Sequence, residues 1–89
     1  MVVFLDNDEG YLLWLAENPN GYVINSDRQP RARYLVLHRA TCPKINGVAR
    51  PNDALTSYRK TCFLTRRCAL ASVQREWAGS PRKCGHCRP

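Results

Sequence analysis

Two short pairs of soft-ligand side chains, His38-x-x-x-Cys42 and Cys84-x-x-Cys87, stand far apart in the chain. Once such pairs share one ion, a chain has few ways left to fold. Zinc takes four N or S ligands in a tetrahedron, and structural sites commonly join two neighbouring ligands to two from a distant segment. Closure through His38, Cys42, Cys84 and Cys87 ties residue 38 to residue 87 and encloses most of the chain. Cys84-Gly85-His86-Cys87 has the tight spacing of a zinc knuckle, and His38/Cys42 falls at the end of a predicted strand followed by a turn. The expected cofactor is a structural Zn2+ in a closed site with no open coordination position. Cys62, near the end of another predicted strand, competes for the place of His38 or Cys42. Cys68 falls inside a predicted helix, where a small buried thiol is the commoner role. His86, between the knuckle cysteines, is expected to point outward.

With 89 residues, residues 1–89 form one expected domain, of a size at which a lone hydrophobic core is marginal and metals often supplement it. Five cysteines is an odd number, and the N-terminus Met1-Val-Val-Phe-Leu-Asp-Asn-Asp-Glu9 has no basic leader region. A reducing, cytoplasmic compartment and metal ligation are therefore expected over a disulfide framework. No apolar run approaches the ~20 residues of a membrane span, so no membrane partner is expected.

The net charge of +7 is unevenly distributed. Residues 1–27 carry Asp6, Asp8, Glu9, Glu17 and Asp27 without a Lys or Arg, whereas residues 28–89 carry all 14 basic residues against Asp53 and Glu76. Clustered cations gain by displacing condensed counterions from a phosphate backbone, so the expected partner is nucleic acid, with duplex DNA favoured and a nucleoid-associated location implied. The competing class is a zinc-stabilised protein-interaction module whose basic face docks on an acidic protein.

Along the chain, Val2–Leu5 reads as an edge strand. Asp6-Asn7-Asp8-Glu9 supplies N-cap candidates for a helix over 8–17, with Tyr11, Leu12, Leu15 and Ala16 on its apolar side and Trp14 widening it. Asn18-Pro19-Asn20-Gly21 ends that helix. Tyr22–Asn25 and Arg33–Arg39 alternate as the strands of a hairpin, joined by a projecting loop over 26–32. Arg28, Arg31 and Arg33 cluster there, suited to grasp phosphates or guanine edges. Residues 40–53 read as irregular, with Lys44 and Arg50 adding charge. Ser57–Leu64 reads as a third, edge strand bearing Arg59 and Lys60. Thr65 caps a second predicted helix through Ala78, with Leu70, Val73 and Trp77 as its buried stripe and Gly79 and Pro81 as stop signals. Ser80–Pro89 is a basic tail that stays disordered unless anchored.

Two enzymatic readings carry less weight. Cys84-Gly85-His86-Cys87 matches the active-site tetrapeptide of disulfide isomerases, where a following helix lowers the first thiol's pKa; only Arg88 and Pro89 follow here. Gly21-Tyr22-Val23 and Tyr34-Leu35-Val36 loosely resemble the paired motifs of the GIY-YIG nucleases. Val36 stands where the second motif needs glycine, and Glu76 is the only downstream glutamate. The expectation is a non-catalytic protein.

The run Trp14-Leu15, Asn18-Pro19-x-Gly21-Tyr22-Val23-x-Asn25, then Tyr34-Leu35-Val36-Leu37-His38-Arg39-Ala40-x-Cys42, then Cys84-x-x-Cys87-x-Pro89 resembles a family of small actinobacterial zinc-binding modules. That family is associated with binding DNA, including modified DNA such as 5-methylcytosine. The resemblance covers most of the chain and implies a cytosolic reader without catalysis. Such a reader needs an apolar or aromatic contact for the methyl group, or a pocket for an extruded base. Trp14, Tyr22, Tyr34, Phe63 and Trp77 are the aromatic candidates, and Tyr34 leads because it lies beside the arginine loop.

The sequence thus predicts an α+β domain, a small three-stranded antiparallel sheet with two helices, held by one zinc. Arg28, Arg31, Arg33 and Arg39 near the hairpin are the expected primary nucleic-acid contacts. Arg59, Lys60, Arg66, Arg67, Arg75, Arg82 and Lys83 are expected to neutralise phosphates.

Overall fold

A computed structural model describes residues 1–89 as a mixed sheet with a helix on each face. Helix α1, Asp8–Glu17, starts where Asn7 Oδ1 accepts the Gly10 N–H at 3.0 Å. Asp8 instead accepts from the backbone N–H groups of Leu55 and Thr56 at 2.9 and 2.8 Å, so the helix start also pins a distant loop. Only Tyr11 and Leu15 of α1 are buried; Leu12 and Leu13 face solvent. The apolar side is narrower than the expected one, because the helix meets the sheet along one line of residues four apart, Tyr11 and Leu15.

Strands β1, Val2–Phe4, β2, Tyr22–Arg31, β3, Tyr34–Arg39, β4, Arg59–Phe63, and β5, Arg82–Lys83, lie in the order β1-β4-β2-β3-β5. The sheet therefore has five strands rather than the expected three. β1 and β5 are too short for periodicity to show them, and β5 runs parallel to β3, pairing Val36 with Arg82 and Leu37 with Lys83. β4 is not the expected edge: it sits between β1 and β2, and Lys60 to Phe63 are all buried. The expected projecting loop over 26–32 is mostly strand. β2 runs on to Arg31, with an irregularity between Ser26 and Arg31, and pairs Arg31 with Tyr34 across a tight connection.

Alternation divides the core in two. Ile24, Leu35, Leu37 and Phe63 pack against Ala69 and Val73 of α2, Arg66–Trp77. Thr65 Oγ1 accepts the Cys68 N–H at 3.1 Å at the start of α2, and the helix ends on Ala78 in the left-handed region at φ 51°, one residue before the expected glycine stop. On the other face, Val23, Val36 and Cys62 pack with Phe4, Tyr11 and Leu15. The fully buried Tyr11 hydroxyl donates to the Ile45 carbonyl at 2.8 Å and so holds the 40–58 loop against this face. Gly21 admits the chain beneath Trp14: a Cβ there would lie 2.6 Å from the indole Cη2 and 3.0 Å from the Phe63 carbonyl. No helix is long and apolar enough to cross a membrane.

Candidate metal centre

The four side chains read from the two sequence pairs converge. His38, Cys42, Cys84 and Cys87 each offer a ligand atom, and these atoms lie within 4.8 Å of one another. Cys42 Sγ and Cys84 Sγ are 3.9 Å apart, close to the ~3.8 Å edge of a tetrahedron with metal–sulfur bonds of about 2.3 Å. His38, Cys42 and Cys84 are buried and Cys87 is half-buried. This group of one imidazole and three thiols can hold a metal ion such as zinc. It is the only group of three or more His, Cys, Asp or Glu side chains in the structure with that capacity. Cys62 is buried among Phe4, Tyr11 and Val23, and Cys68 is exposed on α2; neither belongs to the group.

Each of the four side chains is placed by a separate local cause. His38 shares a sheet face with Val23, its cross-strand partner. Cys42 follows in the turn after β3, where its N–H bonds the Arg39 carbonyl at 3.0 Å. Cys84 is carried to β3 by β5 and donates its N–H to the Leu37 carbonyl at 2.9 Å. A turn then brings Cys87 back, closed by the Arg88 N–H on the Cys84 carbonyl at 3.1 Å. The sulfurs also receive backbone donors: His86 N–H to Cys84 Sγ at 3.4 Å and Arg39 N–H to Cys87 Sγ at 3.3 Å. N–H donors aimed at sulfur favour the thiolate, the form that ligates metal.

Burial, reinforced by Lys60 and Arg82, pushes the His38 pKa down to about 4, leaving the neutral ring that metal coordination requires. Its Nδ1 is buried with no hydrogen-bond partner, a cost that coordination through that atom would remove. Burial pushes the Cys42 thiol up to about 12. At Cys84 burial also acts upward, but the N–H groups of Cys87 and His86 and the adjacent thiols outweigh it, so the net shift is downward. A divalent cation would favour the thiolate at both positions.

Beside this centre lies a cleft of about 660 Å3. Its floor is the sheet, where Asn25 pairs with Val36, and Val36 pairs in turn with Arg82. One wall is the 44–50 loop with Lys44 and Arg50; the other is β5 and the knuckle, with Arg82 and Lys83. No carboxylate lines it.

The predicted nucleic-acid contacts divide sharply. Arg28 donates to both Asp6 carboxylate oxygens at 2.9 and 2.7 Å, and Arg31 pairs with Asp27 at 2.6 Å. Arg39 donates to the Cys87 and Arg88 carbonyls, both at 3.1 Å, and so holds the knuckle. Lys60 is buried and donates to the Leu55 carbonyl at 2.7 Å, so its charge does not reach the surface. Arg75 lies 3.7 Å from Glu76. Arg33, Arg59, Arg66, Arg67, Arg82 and Lys83 have no carboxylate partner, and Arg33 flanks half-buried Tyr34, whose ring meets Tyr58 edge-on at 6.4 Å. Arg66 and Arg67 start α2, on the opposite face of the sheet from α1. In the sequence Lys44 and Arg50 are only part of the general basic charge, and Asn25 is one position of a strand. No local pattern marks them, since only the fold of the 40–58 loop brings them over the sheet.

Comparison of the chain with protein-family models, with curated proteins and with solved structures found no match in any of the three.

Proposed function

We propose that this chain is a zinc-stapled, non-catalytic nucleic-acid-binding domain that engages phosphates around the metal centre. The observation that carries this reading is the cleft beside the His38/Cys42/Cys84/Cys87 group, where Lys44, Arg50, Arg82 and Lys83 stand without a lining carboxylate. Zinc is the ion of choice because three sulfurs and one imidazole in a compact set suit its tetrahedral preference. The ion supplies the second anchor that holds β5, and with it Arg82 and Lys83, against β3.

This reading moves the binding face away from the hairpin. Cations already satisfied by Asp6, Asp27 or the knuckle carbonyls gain less from phosphate than Lys44, Arg82 and Lys83, which meet no carboxylate; Arg50 has only an exposed pairing with Asp53 at 4.0 Å. The test is a titration of zinc-quantified protein with duplex DNA at several salt concentrations. One zinc per chain and a log–log salt slope of about −4 are expected if the four cleft cations each engage a phosphate, at about −0.9 per contact. A flat salt response, or purified protein that takes up no zinc, refutes it. A cytosine-methylated duplex in the same titration decides the modified-base expectation: equal affinity for both duplexes removes it.

A further inference from the structure

The cleft offers more than a row of phosphate-binding cations. At about 660 Å3 it is a recess within the roughly 300–1,000 Å3 of sites that take a small organic group. Its interior is also not uniformly charged. Val36 and Ile45 are buried apolar side chains at the floor and wall, the half-buried Tyr34 ring stands at one end, and the cations belong to the two sides. Asn25 adds a hydrogen-bonding group in the middle of the floor, and its buried Oδ1 has no partner in the protein. Unpaired buried acceptors are rare, and an unused carboxamide in a recess is the group most suited to meet a ligand's N–H.

From this combination we infer that the cleft is a pocket for a single unpaired nucleotide. The base sits over Val36 and Ile45 with Asn25 at its edge, and the flanking phosphates are held between Lys44/Arg50 and Arg82/Lys83. The inference rests on the nucleic-acid reading above and deepens it, because it names the substrate feature that is recognised. Paired bases cannot enter such a recess without leaving the stack, so a nucleotide already unpaired by a bulge or mismatch spares that cost. The metal centre contributes by position alone: Cys84 continues β5, and the 85–86 turn forms the rim beside Lys83.

The test uses the zinc-loaded full chain and three labelled DNAs at low salt: a paired duplex, the same duplex with one bulged base, and that bulge with an abasic residue. The abasic arm keeps the backbone geometry and removes only the group the pocket should hold. About tenfold tighter binding of the bulged base than of the abasic bulge is expected, the scale of a base contact on a protein surface. Equal binding of these two DNAs overturns the pocket, and needs no variant. Ala49→Trp, at an exposed position on the rim, should fill the recess. It should abolish the preference for the bulged base over the abasic bulge while the zinc content stays at one per chain. A preference that survives Ala49→Trp also overturns the inference. Failure to bind any of the three DNAs refutes the nucleic-acid reading itself, an outcome distinct from binding that ignores the base.

Discussion

Removing the metal should release the C-terminal segment while leaving most of the sheet folded. Residues 82–89 are held to the rest of the chain by β5, by Cys84 N–H on Leu37, and by Arg39 on the Cys87 and Arg88 carbonyls. These last three bonds contribute about 1 kcal/mol each at best. Ordering the segment costs on the order of 10 kcal/mol, at roughly 1–2 kcal/mol per residue. Only Cys84 of this stretch is buried, so apolar burial does not close the gap. Coordination does, since structural zinc binding is worth about 10–16 kcal/mol in small sites. The core of Ile24, Leu35, Leu37, Phe63, Ala69 and Val73 contains no ligand and should persist. Hydrogen exchange before and after a strong chelator reads this directly. Amides of 82–89 should lose protection, with the Leu37-bonded Cys84 amide among them, while β2 and β4 retain most of theirs. Unchanged protection of 82–89 in metal-free protein would refute the argument that the ion holds the tail.

Further outcomes follow from other contacts. Cys68→Ser should retain one zinc per chain and Cys42→Ser should lose it under the same competing chelator, as read by metal analysis; the reverse would relocate the site. Tyr11→Phe leaves the Ile45 carbonyl without its donor and should cost about 1–3 kcal/mol in chemical denaturation; an unchanged midpoint would show that the hydroxyl does not anchor the loop. Burial lowers the Lys60 pKa to about 8. Because the folded value lies below the unfolded one, the charged form is penalised at low pH and the penalty is relieved as pH rises from about 8 to 10.5. Stability should therefore rise by about 1 kcal/mol from pH 7 to 9, and Lys60→Met should lack that rise; equal pH profiles would remove the assignment. At the acid end, hydrogen bonds from Thr56 and Leu55 hold the Asp8 carboxyl below its ordinary value. Its contribution is present above pH ~4 and lost as pH falls through the lower folded value, and Asp8→Asn should blunt acid unfolding.

Much of this protein was legible without coordinates because the relevant signals are local. Helix limits follow from caps: Asn7 stands before α1, and Thr65 before α2. The pairs His38/Cys42 and Cys84/Cys87 were legible for a different reason: soft side chains at metal spacing have few other uses, and the fold brings the two pairs together into a group that could hold a metal. Charge segregation was equally plain, but which cations remain free was not, since that depends on which carboxylate each one meets. Arg28 is 22 residues from Asp6, and no sequence rule pairs them. β1 and β5 are too short to carry a period, and β4 looks like an edge until a strand on each side covers it.

The sequence by itself therefore determined the two pairs of candidate metal-binding side chains, the two helices and the excess of cations in residues 28–89, because each is a matter of residue type and short spacing. Tertiary structure alone decided the five-strand order, the burial of Lys60 and the cleft over Asn25 and Val36. These arise where segments distant in the chain are packed on one sheet face, and a side chain's partner there is set by the fold rather than by its neighbours in sequence.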